Sequence, residues 1–532
     1  MHGGKDLKQT GNGSLSSAVI IVMSSMILSR LTGFLRETIL SWKVGLSWVQ
    51  DAYVAAFTVP DLVYMLLVGG TISAALVPFL SGKLERCEEE EGWLAASTFI
   101  NIVFLGMVIV CGLGIVFAPQ IIPSVAPGFS DSSPQTLELA VKLSRILFPS
   151  VSFIMMAGIC NGVLNSYRKF AAAAFGPSIY NLGCTLSIFL FADADPDSMI
   201  KVAIFVALSA FLYFLIQFLF SHSKFKFYKP VILISDKGFR KLFSHAVPSL
   251  LSSSITQVNS IISTAFVSLS AIEGSLAAFR NANTLWQLPY GIFAMGIGTA
   301  VLPSLSRKYA VDEHEEYKSL LMKSLTSVLF LAVPSAVGFI VLRTDIVRAV
   351  FKWGGRFTEE NVPFVASILA LFCISMITQS TVAIMNRAYY ARQDTMTPLA
   401  AGIVSIILNI LLGMVFHLYT DLGASGMALS YSIISLVNSI LLLILLNKKM
   451  KGIQAQKLGS FLIRTIPSAA VMAAFLLLIR SFVPDSEIKL LQLLYLLLEI
   501  IAGALIYIIM MLLMKSQDAI YLMKNIRRRL KM

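Results

Sequence analysis

The chain has 532 residues, of which 57% are hydrophobic and 13% are charged, and its formal net charge at pH 7 is +13. Soluble domains carry roughly 25% charged residues, so this composition excludes a soluble globular protein. The basic residues form short groups between apolar blocks, which argues against nucleic-acid binding, and the mean hydropathy of +0.79 predicts an all-α integral membrane protein.

Apolar blocks about 20 residues long predict about fourteen membrane-spanning helices. The second block is long enough to tilt or break, and Pro60 and Gly69-Gly70 are the expected places. The first block carries arginines and has no clear small-residue cleavage site, so it is predicted to be a retained helix and not a signal peptide. In chain order the predicted spans are 17–40, 50–80, 94–118, 136–164, 171–192, 198–221, 241–269, 276–306, 319–342, 362–386, 399–418, 424–446, 461–483 and 488–514.

The distribution of basic residues predicts the orientation. With the N-terminus in the cytoplasm, 27 of the 42 Lys and Arg residues fall in the two tails and the cytoplasmic loops. The positive-inside rule therefore places both termini in the cytoplasm. One predicted outer loop runs against the rule, because it contains Arg343, Arg348, Lys352 and Arg356.

The chain also contains an internal repeat. Residues 66–85 align without gaps on 291–310, at an offset of 225 that pairs Pro78 with Pro303. The offset spans six predicted helices, and because this number is even, the two copies have the same orientation in the membrane. This predicts two parallel six-helix lobes, followed by two further helices. A weaker match, at an offset of 221, pairs Asn165 and Pro177 with Asn386 and Pro398.

This arrangement divides the chain into six predicted parts. They are a cytoplasmic N-terminal tail (1–16), an N-lobe (17–221), a basic cytoplasmic linker (222–240), a C-lobe (241–446), two C-terminal helices (461–514) and a basic cytoplasmic tail (515–532).

No sequence motif for covalent chemistry is present. The chain has no phosphate-binding Gly-rich loop with a lysine, no paired-histidine helix motif, no CxxC and an odd count of five cysteines. We therefore predict a protein that is not an enzyme and that has no cofactor. Any energy coupling would come from the membrane potential, a cation gradient or a downstream reaction.

Ionisable residues inside or beside the apolar blocks are the candidate functional residues. A charge at the bilayer centre costs roughly 2.5–3.5 kcal/mol on insertion scales, so it usually faces a partner or a wet cavity. The guanidinium group suits phosphate oxygens in charge and in geometry. Arg36 could instead extend to the interface, and Arg280 could form a structural pair. The candidate substrate-binding residues are Arg30, Arg36, Asp51 and Arg280.

Several of these residues lie in motifs that resemble the MurJ/MviN family, the lipid II flippase branch of the superfamily that also holds multidrug extruders and polysaccharide flippases. The motifs are LSRLTGFLRE (28–37), QDAYVAAFTVPDL (50–62), ISAALVPFLS (72–81), APGF (126–129), LPYGIFAMGIGTAVLPSLS (288–306) and YYARQDTMTP (389–398).

The resemblance implies two six-helix lobes with a central cavity for the pyrophosphate and sugars, a lipid-tail groove on the last two helices, and alternating access. It places Arg30, Arg36 and Asp51 on positions that matter for function in the family. The chain departs from the family pattern at Tyr64-Met65, where relatives carry a basic residue, and at Thr284, where they carry arginine. Arg280, one turn before Thr284, is our candidate for supplying that charge.

The resemblance implies a bacterial inner-membrane flippase for undecaprenyl-pyrophosphate-linked peptidoglycan precursor, with a role in cell-wall biogenesis and cell shape. Its expected partners are this glycolipid, membrane lipids and the peptidoglycan-synthesis machinery, without nucleic acid. The alternatives are a flippase for another polyprenyl-linked glycan, such as an exopolysaccharide or spore-envelope precursor, a small-molecule or drug antiporter, and a scaffold for envelope assembly.

Overall fold

The computed structural model describes residues 11–64, 75–484, 486, 488–516 and 519–520. These residues form helices and no strand, and they include a 3₁₀ helix at His222–Phe227 and a π-helical turn at Gly291–Met295. The α-helices are α1 (Gly11–Val44), α2 (Trp48–Tyr64), α3 (Val77–Glu85), α4 (Glu89–Val125), α5 (Gly128–Ser132), α6 (Pro134–Ser166), α7 (Phe170–Ala174), α8 (Gly176–Phe191), α9 (Pro196–Ser221), α10 (Lys237–Ser268), α11 (Ser275–Tyr290), α12 (Gly296–Ala310), α13 (His314–Val341), α14 (Arg343–Phe351), α15 (Asn361–Ala391), α16 (Met396–Tyr419), α17 (Gly423–Lys449), α18 (Ala455–Arg480) and α19 (Lys489–Leu513).

The prediction of an all-α membrane protein is confirmed. Each predicted span overlaps one described helix or two consecutive ones. Within the described residues, eleven helices are long and apolar enough to cross a membrane. The predicted spans 17–40, 50–80 and 241–269 are not among the eleven. The two described helices within 50–80, α2 and α3, have 17 and nine residues and are too short to cross a membrane singly. The count of fourteen therefore stays a prediction.

Some sequence predictions lie outside the described residues. They concern the tail with Lys5 and Lys8, Met65, the break at Gly69-Gly70 and the basic C-terminal group at 527–529. Pro60 was the other place expected for a tilt or a break, and α2 continues through it to Tyr64. The helix is therefore not broken at Pro60.

The predicted outer loop that begins at Arg343 contains a helix, α14. Its residues Ile346, Val347 and Phe351 are buried, whereas Asp345 and Arg348 line a polar cavity. A hydropathy pattern cannot reveal such an element, because it is nine residues long and too polar to resemble a span.

The chain forms two compact units, residues 1–276 and 277–532. In the first, α6 packs against α2, α4 and α9, and α8 packs against α9. In the second, α15 packs against α12, α13 and α17, and α16 packs against α17. Three of these pairs recur at the repeat offset: α6 with α4, α6 with α9 and α8 with α9 correspond to α15 with α13, α15 with α17 and α16 with α17. The pairs α6–α2 and α15–α12 do not correspond, because α2 aligns with α11. Helix α10 packs against α4 in the first unit, so the predicted lobe limits, which rest on the sequence repeat, stay a prediction.

Helix ends recur at the predicted offset of 225. Helices α3 and α12 end at Glu85 and Ala310, and the helices that follow them begin at Glu89 and His314. Helices α6 and α15 end at 166 and 391. The weaker match stays a prediction: α8 and α16, which contain Pro177 and Pro398 near their starts, begin at Gly176 and Met396, an offset of 220.

A charged pairing recurs with these ends. The Lys83 ammonium lies 2.8 Å from the Glu88 carboxylate and 3.0 Å from that of Glu91, and Lys308 pairs with glutamates 313 and 316 in the same way. Hydrogen bonds to the two glutamates raise the pKa of Lys83 above its ordinary value. The same turn, with the same lysine–glutamate pairs, thus occurs after α3 and again after α12.

Candidate functional site

Helix α1 carries two of the predicted arginines and packs against α8, α7 and α2. It ends at Val44, where Gly45 adopts a left-handed conformation with φ of 71° and its amide bonds back to the Ser41 carbonyl. The chain then turns directly into α2. This short connection brings the N-terminal part of α2 beside the C-terminal half of α1.

Arg36 is held from two sides. Its Nη2 donates to the Glu37 carboxylate at 2.7 Å, and its Nη1 donates a long hydrogen bond of 3.5 Å to the Asn181 side-chain oxygen on α8. The Asn181 amide in turn donates to the Ser29 carbonyl at 3.3 Å. The Arg36 side chain is 19% exposed, whereas Glu37 is 6% exposed. A guanidinium has five N–H donors, so Arg36 retains donors for an incoming anion.

Asn181 was missed by the sequence analysis. It lies 145 residues from Arg36 along the chain, on a helix with no charged residue. Tyr180 and Cys184 on the same helix, and Tyr53 on α2, also lie near the guanidinium. A single asparagine in an apolar block is a weak signal, and only the packing of α1 on α8 reveals its role.

Arg30 is exposed on α1, six residues before Arg36. At 3.6 residues per turn and 1.5 Å per residue, the two positions lie about 9 Å apart along the helix and about 120° apart around it. Arg30 and Arg36 therefore leave the helix in different directions, and a shared ligand would have to reach around one side of α1.

Asp51 is buried near the start of α2, and its Oδ2 accepts a hydrogen bond of 2.9 Å from the Gly274 amide. The Glu273 carboxylate accepts one of 3.0 Å from the Trp48 amide at the start of α2. Each acid thus lies at a helix N-terminus, where the helix dipole stabilises a negative charge. The structure gives Asp51 a fold-stabilising contact, and its role in substrate binding stays a prediction.

Arg280 lies on α11, in the second unit, and is half-buried together with Thr284 and Gln287. These residues stand four and then three apart, so they share one helix face. The Thr284 hydroxyl donates to the Arg280 carbonyl at 2.9 Å. The spacing that made Arg280 the candidate for a displaced charge is therefore present in the structure.

A stripe on α6 shows the contrasting case of a surface ion pair. Lys142 lies 2.7 Å from Glu138 one turn earlier, and both side chains are more than half exposed. Arg145 donates to the Ile115 carbonyl at 3.1 Å. Glu138 and Lys142 therefore form a local ion pair on the helix surface.

The comparisons with known proteins agree with this architecture. Residues 41–498 match the family described as lipid II flippase MurJ. The probable lipid II flippase MurJ of Buchnera aphidicola subsp. Schizaphis graminum is 29% identical over 479 residues, covering 89% of this chain and 91% of the relative. The lipid II flippase MurJ of Burkholderia cenocepacia is 28% identical over 474 residues, covering 87% and 90%.

Solved structures give the same result. A lipid II flippase MurJ in an inward closed conformation superposes with a TM-score of 0.76 at 26% identity, covering 92% of this chain and 98% of that one. An inward-facing multidrug resistance transporter of the MATE family gives 0.67 at 16% identity, covering 82% and 99%, and this likeness shows the fold alone. The match over residues 41–498 spans most of the sequence, and the chain belongs to the MurJ family of lipid II flippases.

Proposed function

We propose that this protein moves lipid II, the undecaprenyl-pyrophosphate-linked disaccharide-pentapeptide of peptidoglycan synthesis, from the inner to the outer leaflet. The observation that carries the proposal is the family match over residues 41–498, together with the fold shared with a solved MurJ. The activity is transport and not catalysis. Flippases for other polyprenyl-linked glycans and drug antiporters remain the alternatives to be tested.

We propose that the pyrophosphate of this lipid binds to Arg36. Phosphate oxygens accept paired hydrogen bonds from a planar guanidinium, and Arg36 is partly exposed with one strong and one long protein contact. Arg30 and Arg280 are proposed as further cationic contacts, and Asp51 as a residue that holds the start of α2 in place. The barrier to flipping is desolvation of the headgroup, and cationic side chains lower it.

We propose a bacterial inner-membrane location with both termini in the cytoplasm, alternating access, and a lipid tail that remains beside α18 and α19. The support is the excess of Lys and Arg in the tails and cytoplasmic loops, and the apolar character of the last two helices. Peptidoglycan-synthesis enzymes are the proposed partners, and the membrane potential or a cation gradient is the proposed energy source.

Depletion of the protein in its own bacterium tests the function. The lipid intermediate that accumulates on the inner leaflet is identified by mass spectrometry, and leaflet exposure is measured with a reagent that cannot cross the membrane. We expect lipid II to accumulate and to be restored by the plasmid-borne wild type. Accumulation of a different polyprenyl-linked glycan, with lipid II unchanged, would assign the chain to the first alternative.

A further inference from the structure

A polar cavity of about 1090 Å³ lies within the second unit, between α14, the segment after it, and parts of α18 and α19. It belongs to the side of the chain predicted to be outer, and none of the four predicted site residues lines it. The charged side chains around it are Asp345, Arg348, Lys352, Glu359, Arg480, Lys489 and Glu499.

The polar residues that line the cavity extend along α19 from its start toward its middle. Lys489, Gln492, Tyr495 and Glu499 stand three, three and four residues apart, so they follow one face of the helix. Ten residues separate the first from the last, which corresponds to about 15 Å along the axis. Because α19 is 25 residues long and otherwise apolar, the cavity leads from one end of the helix to its middle.

Most charges around the cavity have fixed partners. Arg480 donates to the Thr344 hydroxyl at 2.6 Å and to the Val341 carbonyl at 3.2 Å, and it lies 3.1 Å from Asp345. Arg348 and Lys352 share the Glu359 carboxylate, Arg348 also pairs with Asp345, and Lys489 donates to two backbone carbonyls near the end of α14.

Glu499 differs from these charged residues in its contacts. It is 5% exposed, and within the described residues its carboxylate makes no hydrogen bond and no ion pair. The charges that act on it are those of Asp345 on α14 and Arg480 at the end of α18. An ionised carboxylate in this position is costly, and a carboxyl group can avoid that cost by binding a proton.

We propose that Glu499 is a proton-binding site, filled from the predicted outer side through this cavity. The proton comes from water and adds to one carboxylate oxygen, so no other reactant is needed. A proton requires one carboxylate, whereas Ca²⁺ takes six to eight oxygen ligands and a nearby arginine opposes any metal cation. The coupling of this site to lipid movement rests on the proposed function.

Arg480, at the end of α18, links Glu499 to the junction of α13 and α14 through its contacts there. When Glu499 is ionised, its charge attracts Arg480 away from partners at Val341, Thr344 and Asp345 at the junction of α13 and α14. When Glu499 is protonated, that attraction disappears and Arg480 keeps those partners. The proton therefore biases α18 and α19, the two helices proposed to lie beside the lipid tail.

Other charged side chains also face the cavity that contains Glu499. They come from α14 (Asp345 and Arg348), the segment after it (Lys352 and Glu359), α18 (Arg480) and the start of α19 (Lys489). The ring contact between α13 and α19, from Phe330 to Tyr507, is apolar. Asp485 and Glu487, between α18 and α19, lie outside the described residues. Both acids are present in the wild type and in every Glu499 variant, so they do not cause differences between them.

Infrared difference spectroscopy of the purified full-length protein in lipid nanodiscs tests the proposal without any substrate. The wild type should show a carboxyl band, shifted by D₂O and typical of a poorly hydrated acid, that appears on acidification. Glu499→Gln, which has the same shape and cannot titrate, should lose this band. Glu360→Gln, at an exposed acid before α15, is the matched control and should keep it.

A band that persists in Glu499→Gln would overturn the proposal, as would a Glu499 band that does not respond to pH. Proteoliposomes supply the functional arm, with lipid II flipping measured with and without a pH gradient. Glu499→Gln should abolish the effect of the gradient, and Glu499→Asp should keep it. If the wild type titrates at Glu499 but does not move lipid II, the proposed function fails and the proton site stands.

Discussion

At the scale of single residues, the structure separates charged groups by what they contact. Arg36 is tied to a buried acid and to an amide on a neighbouring helix, whereas Lys142 pairs with an exposed acid one turn away. Exposed pairs of this second kind are worth about 0–1 kcal/mol. Removing Arg36 would take this counter-charge away from the buried Glu37, which makes folding and transport effects difficult to separate in a single variant.

A short series at Arg36 separates them. Arg36→Ala should abolish transport and reduce the folded yield, because Glu37 loses its counter-charge. Arg36→Ala combined with Glu37→Ala should recover the yield but not the transport. Arg36→Lys should recover transport only in part, because an ammonium cannot form the planar paired contact. Complementation of a depleted strain, with protein levels measured, checks each variant, and Lys142→Ala is the neutral control. Transport by a well-folded double alanine variant would exclude Arg36 as a headgroup ligand.

Arg280 can be tested by moving its charge. Arg280→Ala should remove transport, and adding Thr284→Arg should restore it, because the guanidinium returns one turn along the same face of α11. The measurement is again complementation with protein levels checked. Full activity of well-expressed Arg280→Ala would show that its charge is not used for the substrate.

The hydrogen bond from the Gly274 amide to Asp51 predicts different losses of stability for two substitutions at Asp51. Asp51→Asn keeps an oxygen that can accept from the Gly274 amide, so it should change the free energy of unfolding by less than about 1 kcal/mol. Asp51→Ala leaves that buried amide without an acceptor and should cost about 1–3 kcal/mol. Denaturant unfolding in detergent measures both. If the asparagine variant is stable but does not transport, the charge of Asp51 has a second role beyond this contact.

At the scale of helices, sequence patterns predicted what depends on local composition. The apolar blocks located the long helices, and the 225-residue offset located the repeated helix ends. Contacts that depend on how helices pack were not predictable, and the pairing of Arg36 with Asn181 is one example. Glu499 was also missed, because a single acid in a span otherwise suited to lipid gave no sign that a polar cavity reaches it.

The repeated turns after α3 and α12 contain left-handed residues that are not glycine. Cys87 has φ of 59° and Asp312 has φ of 56°, and the amide after each bonds at 3.0 Å to the carbonyl of Lys83 or Lys308. This is the hydrogen-bond pattern of a Schellman motif, in which glycine is preferred because a side chain costs about 1–2 kcal/mol there.

Cys87→Gly should therefore stabilise the first turn. Allowing for the greater freedom of glycine in the unfolded chain, the expected gain is about 0.5–1 kcal/mol. Hydrogen exchange at the Glu88 amide should slow by about two- to fivefold, since 1.4 kcal/mol corresponds to a factor of ten. Cys87→Ala removes the thiol but keeps Cβ and should give no gain. Equal slowing in both variants would attribute the effect to the thiol and not to the backbone.

At the scale of the whole molecule, the loop that runs against the positive-inside rule acquires a structural explanation. Arg348 pairs with Asp345 and Glu359, and Lys352 also pairs with Glu359. Hydrogen bonds to Arg348 and Lys352 lower the pKa of Glu359, so the acid stays charged at neutral pH. These basic residues therefore belong to the folded cavity wall of the second unit, and their presence in the loop does not require a cytoplasmic location.

Reporter fusions along the chain test this orientation. Fusions after residues 85, 235, 310 and 455 should report the cytoplasm, because the Lys and Arg excess lies in those segments. Fusions after 128, 355 and 421 should report the outer side, and the one after 355 examines the exceptional loop directly. A cytoplasmic signal at 128 would reverse the orientation and change the helix count. A cytoplasmic signal at 355 alone would keep the first unit as predicted and would move the Glu499 cavity to the cytoplasmic side, so that its proton would enter from there.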